Sequence, residues 1–283
     1  MRGPLILSLI ALGLPALAAC GEAASDSDLV ERMAREHATD EPVPSPAAQV
    51  EPAGRVASEE VVYADLEGTA IRGYLARPES GGELPGILVI QEWWGLNDNI
   101  RAMADRLAGE GYLALAVDLY EGEVADDREG AARLMRRSME RPVRLEENLR
   151  QAAAFLRQGR GVTRLGVIGW CFGGGWSLRT ALLLRDQIDA AVIYYGRLVT
   201  EPAELEPLQA PILGLFGGLD RGIPVEAVRA FEAALRALGK EATIQVYDDA
   251  NHAFANPSGT RYNQAAATDA WEKTLDFFER HLK

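Results

Sequence analysis

From about Glu60 to the C-terminus, short apolar runs alternate with stretches whose apolar residues recur every three or four positions. "EVVYADL" and "TAIRGYLARP" read as two strands, and Glu67-Gly68 between them predicts a hairpin turn. "PGILVIQ" is apolar throughout, the pattern of a strand covered on both faces of a parallel sheet. A helix over "NIRAMADRLAGEGY", ended by Gly111, and a strand "LALAVDLY" follow. Two helical stretches come next, and in the second Leu145, Leu149, Ala152 and Leu156 mark one buried face. The alternation continues with strand "RLGVIG", a helix from Phe172, strands "AAVIYYG" and "APILGLFG", and a helix from Pro224 to Leu238. Strand "ATIQVYD" and a helix with Trp271, Leu275, Phe278 and Leu282 at helical spacing complete it. Strands alternating with helices predict an α/β fold: a mostly parallel twisted sheet with helices on both faces, in one domain. No internal repeat interrupts the series.

Residues 1 to 57 do not follow this pattern. "MRGPLILSLIALGLPALAACG" has a basic start at Arg2, an apolar stretch from Leu5 and small residues before Cys20, as an export signal does. Pro15 breaks the apolar stretch and acidic sequence follows, which argues against a permanent transmembrane helix. The ending Leu17-Ala18-Ala19-Cys20 resembles the bacterial lipoprotein signal, which implies a signal peptide over 1–19 and lipidation at Cys20. The expected location is then the cell envelope, with the lipid as the chain's only membrane contact. "ATDEPVPSPAAQVEPAG" is rich in Pro, Ala and acids without apolar periodicity, so 20–57 is expected to be a tether, with at most a short helix around Leu29 to His37. The folded domain is expected over 58–283.

The chain has 283 residues, 48% of them hydrophobic, enough for one large core. Its net charge of -13 excludes the basic surface that nucleic acid requires. Cys20 and Cys171 are the two cysteines. With Cys20 lipidated, Cys171 has no disulfide partner, so it is either a buried apolar residue or a reactive thiol.

Its surroundings favour reactivity. Cys171 follows strand "RLGVIG" and opens the next helix, and Gly169 and Gly173 bracket it at two residues either side. That spacing is a nucleophile elbow, G-x-Nuc-x-G, with Cys in place of Ser. It stands at the carboxyl end of a strand, where open α/β sheets bind ligands. A nucleophile needs a base and the base an orienting acid. Of the three histidines, His37 in the tether and His281 near the C-terminus are expected to be plain surface. His252, in the loop after the last strand, is the candidate base. Asp220, at the end of "PILGLFGGLD", stands between Cys171 and His252 in the order nucleophile, acid, histidine. Asp189 starts a strand, at the wrong edge of the sheet, and Asp248 and Asp249 are expected to be solvated. Trp170, Tyr120, Tyr194 and Tyr195 stand near strand ends as candidate pocket walls, whereas Trp176 is expected in the core. A single cleft histidine argues against a metal site, and "GWCFGGG" lacks the spacing of a nucleotide-binding loop. No cofactor is expected.

Five motifs in order resemble the dienelactone hydrolase family, a cysteine branch of the α/β hydrolases: "QEWWGLND", "VDLY", "GWCFGG", "GGLDRGIP" and "NHAFANP". The resemblance covers about residues 60 to 283 and implies an α/β-hydrolase fold. It implies a Cys171–His252–Asp220 triad that cleaves small esters or lactones through an acyl-enzyme, with no cofactor. It implies further that Glu92 contacts the resting thiol, and that the backbone N–H groups of Phe172 and Trp93 form the oxyanion hole. The family's carboxylate-binding arginines are missing: Asn256 stands at one position, and Glu121 and Gly122 follow Tyr120 where the other is found. Asn256 then becomes a candidate substrate contact, and uncharged substrates are expected over dienelactone. Two alternatives remain, a catalytically silent envelope-tethered binding protein and a peptidase. The chemically competent triad argues against the first, and the lack of a long insertion against the second.

Overall fold

A computed structural model describes residues 26–283; the expected signal peptide and lipidation site, Cys20, lie outside the described residues. Eight strands form one sheet in the order β1-β2-β4-β3-β5-β6-β7-β8. The hairpin pairs β1 (Val56–Leu66) with β2 (Thr69–Pro78) through Glu67 and Gly68, both with positive φ. That backbone suits the right-handed twist of adjoining strands. β2 pairs antiparallel with β4 (Leu113–Val117). From β4 onward the neighbours are parallel: β3 (Gly86–Ile90), β5 (Leu165–Trp170), β6 (Ala190–Tyr194), β7 (Ile212–Gly217) and β8 (Ala242–Tyr247). This is an α/β-hydrolase-like fold. Every residue of β3, β4, β5, β6 and β7 is buried, as the continuous apolar runs require.

Helices cover the sheet. α2 (Asp98–Gly109) starts where the Asn97 side chain accepts the Ile100 N–H, and α3 (Arg128–Met139) where Asp127 accepts that of Gly130. Each side chain satisfies an amide that a helix start otherwise leaves unpaired. α4 (Pro142–Ala154) presents the predicted face of Leu145, Leu149 and Ala152, and Leu156 continues it into a π-helical turn. α5 (Phe172–Leu183) follows the elbow, and a short α6 (Pro202–Leu205) separates the two strands expected in succession. α7 (Val225–Ala237) and α8 (Gln264–Leu282) complete the fold.

The expected tether is corrected here. From Asp26 the chain folds back over the carboxyl ends of the strands. α1 (Asp26–Glu36) buries Leu29, Val30 and Met33. The following segment lies along residues 256–261. The Ser45 N–H donates to the Pro257 carbonyl and its hydroxyl to that of Asn256, while Gly259 N–H donates to Val43. Glu36 and Arg261 form an ion pair at 3.0 Å. The reason is physical: three apolar residues on one helical face suffice for docking when a cleft receives them, yet they leave the segment's composition polar. Average composition therefore misread it.

Candidate active site

The turn after β5 is built from glycines because backbone passes through the space a side chain would fill. A Cβ on Gly169 would stand 2.2 Å from the Gly173 carbonyl oxygen, and one on Gly173 would stand 2.4 Å from the carbonyl oxygens of Ile90 and Gln91. Cys171 itself has φ 53° and ψ -113°, a conformation that side chains rarely adopt. The end of β6 helps to hold it, with the Cys171 N–H donating to the Tyr194 carbonyl at 3.0 Å. Gly173→Ala is expected to destabilise the protein by about 1–3 kcal/mol or more, since the clash is with backbone and cannot be relieved by a rotamer change. A thermal melt checks this; an unchanged Tm would show that the elbow is looser than its contacts.

The loops after β7 and β8 bring Asp220 and His252 together. His252 Nδ1 lies 2.7 Å from Asp220 Oδ2, and both side chains are fully buried. Asp220 Oδ1 accepts the N–H groups of Gly222 and Ile223, which fixes the carboxylate. His252 Nε2 has no hydrogen-bond partner. Burial opposes a charged His252 ring, but the charges of Asp220 and Cys171 outweigh it and hold its pKa well above the ordinary imidazole range. Burial likewise opposes a Cys171 thiolate, and the charge of His252, with His37 adding to it, outweighs that and lowers the thiol.

His37 was expected at the surface and is instead fully buried against the nucleophile. Its Nε2 lies 3.7 Å from Cys171 Sγ, and its Nδ1 is 2.9 Å from Asp40 Oδ2. The ring stacks on Trp93 with 4.3 Å between centroids. Met33 Sδ is 3.8 Å from the same sulfur. His37 and Asp40 stand three residues apart, a spacing that could have flagged the pair had the segment been read as folded. The argument against a metal from a single cleft histidine therefore fails: one atom each from His37, Cys171 and His252 lies within 4.8 Å of the others, close enough to close on an ion.

The other expected residues divide. Glu92 is buried beside the site, but its Oε1 accepts the Ser258 N–H at 2.9 Å and its Oε2 has no partner, so the thiol contact expected of it is made by His37. Burial first, and the nearby Cys171 charge, raise its pKa well above the usual carboxylate range. The Phe172 N–H opens α5, where first-turn donors have no intrahelical acceptor. Trp93 follows Glu92 in the loop after β3. Tyr195 stands edge-on to His252, with 5.2 Å between ring centroids.

Tyr195 also lines a cavity of about 260 Å³ that reaches Cys171 and whose apolar wall includes Leu29, Met33, Met135, Trp176 and Ile223. Trp176, buried in the core as expected, also forms part of that cavity's wall. Trp170 is not: it packs on Tyr194 and lines a separate cleft with Arg106 and Trp271. Tyr120 likewise opens on another cleft, with Arg137 and Arg144. Asn256 lines neither and is buried with both side-chain polar atoms unpartnered. Glu121, expected to repel an anion if it faced the cleft, forms an ion pair with Arg144 at 2.6 Å. Asp189 binds Arg157 and Arg164 at the amino edge of the sheet, Asp248 and Asp249 are exposed, and His281 lies against Glu241.

A profile of the dienelactone hydrolase family matches residues 71–282. The chain belongs to the dienelactone hydrolase family. An Escherichia coli (strain K12) protein whose assigned name is carboxymethylenebutenolidase is 37% identical over 229 residues, covering 76% of this chain and 84% of that one. "Protein usf" of Aquifex pyrophilus is 34% identical over 230 residues, covering 79% and 99%. Among solved structures, one titled as a dienelactone hydrolase from Klebsiella pneumoniae has 31% identity and a TM-score of 0.72, covering 80% of this chain and all of that one. These neighbours identify a hydrolase of the dienelactone hydrolase type. Residues 26–70, with His37 and Asp40, lie outside the family match.

Proposed function

We propose that the protein hydrolyses small esters or lactones by acyl transfer through Cys171. The observation that carries this is the buried His252–Asp220 pair at 2.7 Å, with His252 facing a thiol held in a strained elbow. The thiol, lowered by the imidazoles beside it, attacks the carbonyl carbon. The Phe172 and Trp93 N–H groups are assigned to the developing oxyanion, as the family resemblance implies. His252, oriented by Asp220, delivers a proton to the departing alkoxide and takes one from the water that releases the acyl group.

Leu29, Met33, Met135 and Trp176 give the cavity an apolar wall against which an uncharged acyl group buries without stranding a charge, while Arg179, Arg197, Glu201 and Glu204 line the rest of it. Purified protein is expected to give a higher kcat/KM for a neutral aryl acetate than for dienelactone. A clear preference for dienelactone would overturn that selectivity, and inertness toward every ester tried would favour a binding protein. Lipidation at Cys20 is proposed from the signal-like N-terminus, and loss of membrane association in Cys20→Ser tests it.

A further inference from the structure

The N-terminal segment delivers a second imidazole–carboxylate pair to a sulfur that already has one nearby. His37 is fixed on every side: Nδ1 on Asp40, one face on Trp93, and Nε2 against Sγ. Asp40 is fixed in turn, its Oδ1 accepting the Thr260 N–H at 2.6 Å and the Thr260 hydroxyl at 3.1 Å. His252 stands nearly perpendicular to His37, with 5.3 Å between ring centroids, and its Nε2 is left unpartnered. The other titratable groups around the sulfur are Glu92, Tyr120 and Tyr195, and the hydroxyls of both tyrosines are themselves unpartnered. One imidazole is enough for a cysteine nucleophile, so two fully buried and separately anchored ones call for two tasks.

We propose that the two pairs divide the proton transfers: His37–Asp40 takes the proton of the Cys171 thiol, and His252–Asp220 serves the substrate and water. This rests on the acyl-transfer reading above. In acylation the thiol proton passes to His37 Nε2, the carbon–sulfur bond forms, and the carbon–oxygen bond breaks as the alkoxide takes a proton from protonated His252. In deacylation water gives a proton to His252 and its oxygen attacks the acyl carbon. The carbon–sulfur bond breaks, the thiolate recovers its proton from His37, and the carboxylic acid leaves. Both rings return to their starting states, so the cycle closes without another reactant.

4-Nitrophenyl acetate separates the two tasks, because nitrophenolate departs without help from an acid. Stopped-flow bursts report acylation, and decay of the isolated acetyl-enzyme reports deacylation. His37→Gln is expected to slow the burst about 10²-fold or more, within the range of a lost general base, while acetyl-enzyme decay stays within a few-fold. Asp40→Asn is expected to slow the same phase by less. His252→Gln should slow the burst less than it slows acetyl-enzyme decay, because its charge supports the thiolate without taking the thiol proton, and so accumulate acetyl-Cys171, seen by mass spectrometry. A His37→Gln burst at the wild-type rate, or equal slowing of both phases with a lowered Tm, would overturn the division and leave His37 a packing residue. Absence of acetyl-Cys171 from both wild type and His252→Gln would overturn the acyl-transfer reading itself.

Discussion

Cys171→Ala is expected to abolish ester turnover, by on the order of 10⁴-fold or more, with little change in fold. The size follows from what is removed, since without the sulfur no acyl-enzyme forms and neither histidine has a nucleophile to serve. The fold should survive because the glycines around position 171, not its side chain, permit the turn. Alanine also keeps the strained φ of 53° in place, with only the buried sulfur lost. Turnover and circular dichroism on one preparation check both halves. Substantial activity in a folded Cys171→Ala protein would exclude covalent catalysis and move attention to water activated by His252. Loss of activity together with loss of fold would instead make Cys171 a packing residue.

Removing residues 1–50 is expected to cost most of the protein's stability. Leu29, Val30 and Met33 are buried. At about 1.5–3 kcal/mol for each fully buried side chain, their loss is worth roughly 4.5–9 kcal/mol as an upper estimate. That compares with a total of about 5–15 kcal/mol for a typical domain. The deletion also uncovers Trp93 and leaves the Ser258 and Gly259 backbone without the strand-like partners Pro44 and Val43. Thermal melts and dye binding to exposed apolar surface compare the truncated protein with the full chain. A fragment starting at residue 51 with a Tm within a few degrees of the full chain would show that the N-terminal segment is only laid on the surface.

Much of the fold was legible because the core strands and helices are each specified locally. The apolar runs at Ile87 to Ile90 and Val167 to Ile168 could only be strands buried on both faces, and the structure buries all of them. The elbow was legible too, since the glycine spacing around Cys171 reflects a collision with backbone that no other residue avoids. Asp220 and His252 were readable from their order along the chain, because consecutive parallel strands put consecutive loops at one edge of the sheet.

What the sequence by itself determined about this protein was the sheet, its order of elements and the three loops that meet at Cys171. Only the tertiary structure decided which surface the N-terminal segment covers, and hence that His37 and Asp40 join the site. Docking of that segment depends on three apolar side chains meeting a cleft assembled from residues more than a hundred positions away, and no local pattern encodes such a match. The direction of side chains at the strand ends was decided in the same way. Trp170 turned to Tyr194, Glu92 to Ser258 and Glu121 to Arg144, each choosing a partner that the chain brings near only when folded.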